Sequence, residues 1–149
     1  MKCAYGTATV ADFERMAKIS AVYRRMANRT VERWLGTKYG ESTLCAILIG
    51  STAAGMADIS PMRLSDMDVI FVMKDGSKEQ MFYDPEVRAL DSVFEGIKQD
   101  VVSEFKPDLY SIIENSALKS DVKNEVRQKL DSVPRLFHFI FTEERNCSM

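Results

Sequence analysis

Two aspartates, Asp66 and Asp68, stand at the entry of the apolar segment MDVIFVM, residues 67–73. Because side chains alternate between the two faces of a strand, both carboxylates lie on one face. At the ~6.6 Å that separates residues two apart in a strand, their charges repel by about 2.5 kcal/mol at an effective dielectric constant of ~20. A hard divalent cation offsets this repulsion, and Mg²⁺ prefers carboxylate oxygens. The pair therefore predicts a Mg²⁺ site.

The segment that precedes the aspartates decides between this chemistry and a simpler interpretation. Taken alone, Asp-x-Asp also suits a turn or cap followed by a solvated strand end. However, the apolar run LCAILI, residues 44–49, is short enough to be a buried strand and leads directly into Gly50 and Ser51. Glycine lets backbone amides approach an anion closely, and serine adds a hydroxyl donor. We therefore expect Gly50 and Ser51 to bind phosphate beside a metal.

A strand, a Gly-Ser turn, a loop and then Asp-x-Asp entering a second strand resembles the signature of the DNA polymerase β nucleotidyltransferase superfamily. LIGSTAAGMADISPMRLSDMDVIFV is most similar to the minimal nucleotidyltransferases and antibiotic adenylyltransferases, whose pattern reads Gly-Ser, Ala-Arg-Gly, Ser-Asp-x-Asp. The resemblance is specific over residues 44–73 and looser through Phe139. It implies a nucleotidyltransferase fold and Mg²⁺-dependent transfer of a nucleoside monophosphate, AMP from ATP first of all, to a hydroxyl acceptor.

Members of this family place a third carboxylate on a later strand, and the resemblance assigns that role to Asp108. This residue stands at the entry of a predicted short strand, Leu109 to Ile113. Asp66 and Asp68 are then expected to hold the ion that clamps the triphosphate. All three aspartates hold the ion that activates the acceptor, with Asp108 as the base. The alternative for Asp108 is a turn residue after proline. Weaker substitutes for it are Asp100, Glu104 and Glu114.

The chain departs from the family pattern in two places. The interval between Ser51 and Asp66 is longer than usual, which predicts an enlarged loop from Met56 to Leu64. Ala54 stands where close relatives often carry arginine, so we assign Arg63, or alternatively Lys74, to the phosphates. The second departure favours a rival hypothesis, a non-catalytic binding module of the same fold that regulates a partner by contact.

The remaining elements predict a mixed α/β (α+β) domain. Apolar residues recur at helical spacing from Val10 to about Tyr39, so we expect one long helix, or two joined near Asn28, capped by Thr9 with Asp12. Asp84-Pro85-Glu86 predicts the start of a further helix. A helix from about Ala117 to Leu130 and a final strand near Arg135 to Phe141 follow.

These elements form a mixed β-sheet with helices packed on it. A single domain spans residues 1–149, with an N-terminal helical segment at 1–40 and a catalytic core at 44–141.

Composition bounds the partners and the location. With 20 Lys+Arg against 22 Asp+Glu, the chain has no global positive field to hold a nucleic acid. Its three cysteines are in no disulfide or zinc pattern, and no run is long enough to span a membrane, so we expect a cytoplasmic protein. Many minimal nucleotidyltransferases are antitoxins that adenylylate a helical toxin encoded beside them. The resemblance thus implies a protein or toxin acceptor, or a homodimer that completes the acceptor pocket.

Two further features receive structural interpretations. His138, in LFHFIF, is the chain's only histidine and is expected to play a structural role. Arg25, Arg29 and Arg33 follow one another at four-residue steps, which predicts a solvated helix face or a surface that meets RNA or an acidic partner.

Overall fold

A computed structural model describes residues 9–60, 63–83, 87–131 and 136–147, and within them the protein has five helices and two small sheets. The helices are α1 (Val10–Leu35), α2 (Gly50–Ala53), α3 (Ser77–Tyr83), α4 (Val87–Glu114) and α5 (Ser120–Leu130). The strands are β1 (Thr43–Ile49), β2 (Ile59–Ser60), β3 (Arg63–Leu64), β4 (Met67–Met73) and β5 (Phe137–Glu143). The fold is therefore mixed α+β, as the sequence predicts. No helix in these ranges is long and apolar enough to cross a membrane.

Helix α1 is one continuous helix, and its N-terminal cap is the predicted one. The Thr9 hydroxyl accepts a hydrogen bond from the Asp12 amide (3.2 Å), and the Asp12 carboxylate accepts one from the Thr9 amide (2.9 Å). This capping box satisfies two amides that the first helical turn leaves without partners. The helix ends at Gly36, whose amide bonds back to the last turn.

The larger sheet has the order β1-β4-β5 and is mixed. Strand β1 is antiparallel to β4, whereas β5 is parallel to β4. Asp68 lies opposite Ile49 on one side and opposite His138 on the other. Three segments distant in sequence therefore meet at the end of the sheet where β4 begins.

One face of the sheet packs against α1 and α4, and the other face carries Asp68. Trp34 of α1 is fully buried, and its ring centroid lies 4.6 Å from that of Phe94 in α4 and 5.4 Å from that of Phe71 in β4. The opposite face is partly open, because Ile47 is 45% exposed. The strand alternation predicted around Asp68 is thus confirmed. The β4 side chains on the packed face are Met67, Val69, Phe71 and Met73.

The predicted strand from Leu109 to Ile113 is wrong, because these residues belong to α4. Leu109 and Ile113 are both fully buried and lie one helical turn apart, so they continue the apolar stripe of the helix. The helix also runs through Pro107, although an internal proline removes one helical hydrogen bond. A short, mostly apolar segment after a proline therefore does not distinguish a strand from the end of a long helix.

The segment predicted as an enlarged loop, Met56 to Leu64, is more ordered than expected within its described residues. Strands β2 and β3 pair antiparallel, and Ile59 is fully buried. Asp58, just before β2, accepts two 2.9 Å hydrogen bonds from the guanidinium of Arg15, and both side chains are buried. The segment is therefore tied to α1. The predicted helix start at 84–86 lies outside the described residues.

Arg25, Arg29 and Arg33 lie on an exposed face of α1, which agrees with the predicted solvated helix face, and each pairs with an acid of α4. The acids follow the same four-residue step, and all six side chains stay partly exposed, so each pair contributes at most about 1 kcal/mol. The pairs are Arg25 with Asp108 (3.6 Å), Arg29 with Glu104 (3.1 Å) and Arg33 with Asp100 (3.2 Å).

Candidate metal centre

Two carboxylates and one imidazole converge where β4 begins. Asp66 immediately precedes β4, Asp68 is its second residue, and His138 is the second residue of β5. Each offers one ligand atom such that all three atoms lie within 4.8 Å of one another. The Nδ1 of His138 lies 2.7 Å from Oδ1 of Asp68, a hydrogen-bonding distance. Among the described residues, this group is the one with the donor types and spacing of a metal site.

Gly50 makes room for this group. It follows β1 and adopts φ of +74°, a left-handed conformation that favours glycine. A Cβ atom at this position would lie 2.5 Å from Oδ2 of Asp68, closer than van der Waals contact allows. The predicted neighbours Gly50 and Asp68 are therefore in contact, and glycine is required there both by backbone conformation and by space.

Helix α2, which begins with Gly50 and Ser51, is held in place by two residues that the sequence pattern did not indicate. The hydroxyl of Thr52, which is fully buried, donates to the backbone carbonyl of Asp66 (3.3 Å). Arg24 of α1 donates from Nε to the Thr52 carbonyl (3.2 Å) and from Nη2 to the Ala53 carbonyl (3.0 Å). Thr52 therefore links the Gly-Ser turn to the aspartate segment, and Arg24 caps the C-terminal end of α2.

The chain entering β4 is also fixed from α1. The buried hydroxyl of Tyr23 donates to the Ser65 carbonyl (2.9 Å), and the Ser65 hydroxyl accepts from the Asp58 amide (2.8 Å). Burial, and then the neighbouring Asp66 and Asp58 carboxylates, raise the pKa of Tyr23, so it stays a neutral donor. The backbone before Asp66 is thus anchored by buried hydrogen bonds, while Asp66 and Asp68 keep partial access to solvent.

The structure does not bring Asp108 into this group. Asp108 lies on α4, is about half exposed, and pairs with Arg25. Its assignment as third ligand and base assumed a strand that is a helix, so the geometry corrects it. His138, for which a structural role was expected, lies in this group instead. The signal was present in LFHFIF, since alternation turns His138 away from its phenylalanine neighbours.

Of the two basic residues expected to bind the phosphates, Lys74 lies too far from Asp68 and Arg63 does not. Arg63 lies in β3, three residues before Asp66, with its side chain exposed. Lys74 follows the far end of β4, roughly 20 Å from Asp68 along an extended strand, too far to share its ligand. Next to Ala54, the guanidinium of Arg24 reaches the carbonyls of α2 from another helix.

Comparison of the chain with protein-family models, curated proteins and solved structures finds no match. The chemical assignment of the site therefore depends on its donor atoms. Asp66 and Asp68 fit the oxygen preference of Mg²⁺. The imidazole of His138 is a nitrogen donor of the kind that suits transition metals instead.

Proposed function

We propose that the protein is a metal-dependent nucleotidyltransferase with a nucleotidyltransferase fold, which transfers a nucleoside monophosphate, AMP in the first instance, to a hydroxyl acceptor. The observation that carries the proposal is the contact between two segments predicted to act together. Gly50, at the end of one strand, lies against Asp68, near the start of its antiparallel neighbour. The turn that we propose to bind phosphate and the carboxylates that we propose to bind a metal therefore lie at the same end of the sheet.

The residues at this end would divide the work of binding a triphosphate. Asp66 and Asp68 would hold the cation, and the amides and hydroxyl at Gly50 and Ser51 would face the phosphates. A bound divalent cation neutralises phosphate charge and stabilises the pyrophosphate leaving group. Thr52 would keep these two groups in register through its bond to the Asp66 backbone. Arg63, which is exposed and stands three residues before Asp66, would supply a cation to the phosphates.

The acceptor in this proposal is a macromolecule, most directly a protein. The sheet face around Asp68 is partly open, as the exposure of Ile47 shows. Sites for small molecules usually bury 70–90% of their ligand, so an open face suits an acceptor that brings its own surface. The net charge of −2 gives no general attraction for a nucleic acid.

The proposal is tested by calorimetric titration of a non-hydrolysable ATP analogue with Mg²⁺ or Mn²⁺. We expect metal-dependent binding that Asp68→Asn abolishes. The matched control is Asp121→Asn, which changes an exposed aspartate in the first turn of α5. Binding that is equally strong without a metal, or equally strong in the Asp68 variant, would sink the assignment.

A non-catalytic binding module is the second candidate, and one observation favours it. The third carboxylate of the pattern is absent from the group that the described residues form, and Asp68 is hydrogen-bonded to His138 instead. This candidate predicts that triphosphate binding, where it occurs, is never followed by transfer. Labelled ATP, GTP, CTP and UTP are incubated with a host lysate or a metabolite panel, with and without the protein. Metal-dependent labelling of an acceptor that requires the added protein supports the enzyme, and its absence supports the binding module.

A further inference from the structure

We propose that the centre formed by Asp66, Asp68 and His138 selects a transition-metal cation of the Mn²⁺ type over Mg²⁺, with His138 as a direct ligand. The inference rests on the proposed function for one point only, the role of the bound metal in holding a nucleotide. The metal preference itself depends only on the three side chains. It also disagrees with the Mg²⁺ expected from the sequence pattern.

The position of His138 follows from the sheet rather than from a flexible side chain reaching inward. Strand β5 is parallel to β4 and pairs Asp68 directly with His138. Both side chains therefore lie on the same face, while Phe137 and Phe139 point to the packed face. The imidazole is 56% exposed, so it can adjust its ring to a cation without disturbing the core.

The spacing of the donor atoms suits one coordination shell. With metal–ligand bonds of about 2.1 Å, adjacent ligands of an octahedral ion are about 3 Å apart and opposite ligands about 4.2 Å apart. The three donor atoms lie within 4.8 Å of one another, and Nδ1 of His138 is 2.7 Å from Oδ1 of Asp68. Small side-chain rotations bring all three to one ion. The other positions of the shell are left for water or phosphate oxygens.

The donor types decide the selectivity. Mg²⁺ demands oxygen ligands and gives up its waters reluctantly, whereas imidazole binds first-row transition metals well. A neutral imidazole in place of a third carboxylate lowers the ligand charge for both divalent cations alike. The nitrogen donor is therefore what favours Mn²⁺ over Mg²⁺.

A rival arrangement keeps His138 outside the coordination shell, where its Nδ1–H would donate to Asp68 and only orient that carboxylate. Under this arrangement the site holds the metal through oxygen atoms alone. The two arrangements differ in whether the metal is bonded to nitrogen, which a spectroscopic measurement detects directly.

The decisive experiment uses the fact that His138 is the only histidine of the chain. With an untagged protein, pulsed electron paramagnetic resonance of bound Mn²⁺ reports imidazole nitrogen coupling that can come from no other histidine. Calorimetric titrations of Mn²⁺ and Mg²⁺ accompany it for the wild type, His138→Ala and His138→Asp. Circular dichroism checks that each variant is folded.

We expect nitrogen coupling in the wild type and its loss in both variants. Removing a ligand should weaken Mn²⁺ binding at least about tenfold, since even outer-shell partners of a metal ligand carry effects of that size. Mg²⁺ binding should change little in His138→Ala and should strengthen in His138→Asp, which restores a third carboxylate.

Absence of nitrogen coupling, or equal Mn²⁺ affinity in the wild type and His138→Ala, would overturn the inference. Its failure is distinguishable from that of the proposed function. Nitrogen coupling to bound Mn²⁺ in a protein that transfers no nucleotide would support the inference and refute the proposed enzymatic function. Metal-dependent transfer by a wild type whose bound Mn²⁺ shows no nitrogen coupling would support the enzyme and overturn the inference.

Discussion

Replacing Gly50 by alanine should damage the candidate metal centre more than it damages the fold. The added Cβ would lie 2.5 Å from Oδ2 of Asp68, where a normal carbon–oxygen contact is well above 3 Å. Asp68 is 23% exposed, so its side chain can swing away rather than break the sheet. That movement takes the carboxylate away from His138 and from any shared cation.

The substitution should have two separate effects, one on the unfolding free energy through the backbone and one on metal affinity through Asp68. Placing alanine in the left-handed conformation costs about 1–2 kcal/mol. Gly76→Ala is the matched control, because Gly76 has φ of +85° and nothing lies within 4 Å of its added Cβ. Both variants should therefore lose about 1–2 kcal/mol of unfolding free energy. Only Gly50→Ala should also lose metal affinity, by at least about tenfold, if one of three ligands is displaced.

Urea denaturation measures the first quantity, and calorimetric titration of Mn²⁺ and Mg²⁺ measures the second. A Gly50→Ala protein that binds metal like the wild type would show that Gly50 does not make room for the centre. The same conclusion would hold if Gly76→Ala lost as much metal affinity as Gly50→Ala, because the effect would then come from general destabilisation.

Three further predictions concern the scaffold. Gly96→Ala should raise the unfolding free energy by about 0.5–1 kcal/mol, since Gly96 is an exposed position inside α4 with no atom within 4 Å of an added Cβ; urea denaturation that shows a loss would contradict this. The Thr9 amide, as the largest cause, lowers the pKa of Asp12, so Asp12 stabilises the fold above its ordinary pKa and loses this effect as the pH falls through the lowered one. Asp12→Asn should therefore be less stable than the wild type at pH 7, with a gap that shrinks in acid, and a gap independent of pH would count against the capping box. Arg29→Glu should lower the unfolding free energy by up to about 1 kcal/mol at low salt, and adding Glu104→Arg should restore most of it. No recovery in the double variant would show that the two residues do not interact in solution.

The parts of the fold that the sequence could predict are those with a local cause. The cap at Thr9 is a hydrogen bond between residues three apart, and the alternation around Asp68 follows from the geometry of a single strand. The proximity of Gly50 to Asp68 needed one further assumption, that two consecutive apolar strands pair antiparallel.

The parts that could not be predicted depend on contacts between distant segments. Asp68 lies beside His138 because β5 pairs parallel with β4, although the two residues are 70 positions apart. The alternation of side chains within one strand does not specify which residue of another strand lies beside it. The bond between Arg15 and Asp58 spans 43 residues in the same way. At Leu109 to Ile113 the failure had another cause, because a short apolar run does not distinguish a buried strand from a buried helix.

Nucleotidyl transfer itself is tested by following the two ends of the triphosphate in one reaction. The protein is incubated with Mn²⁺ or Mg²⁺, a host lysate as acceptor, and ATP labelled at either the α- or the γ-phosphate. We expect that the α-label becomes attached to a macromolecule, that the γ-label leaves as pyrophosphate, and that Asp68→Asn abolishes the transfer while Asp121→Asn keeps it. Transfer of the γ-label that requires the added protein, or protein-dependent α-label transfer that survives Asp68→Asn, would contradict the proposed function.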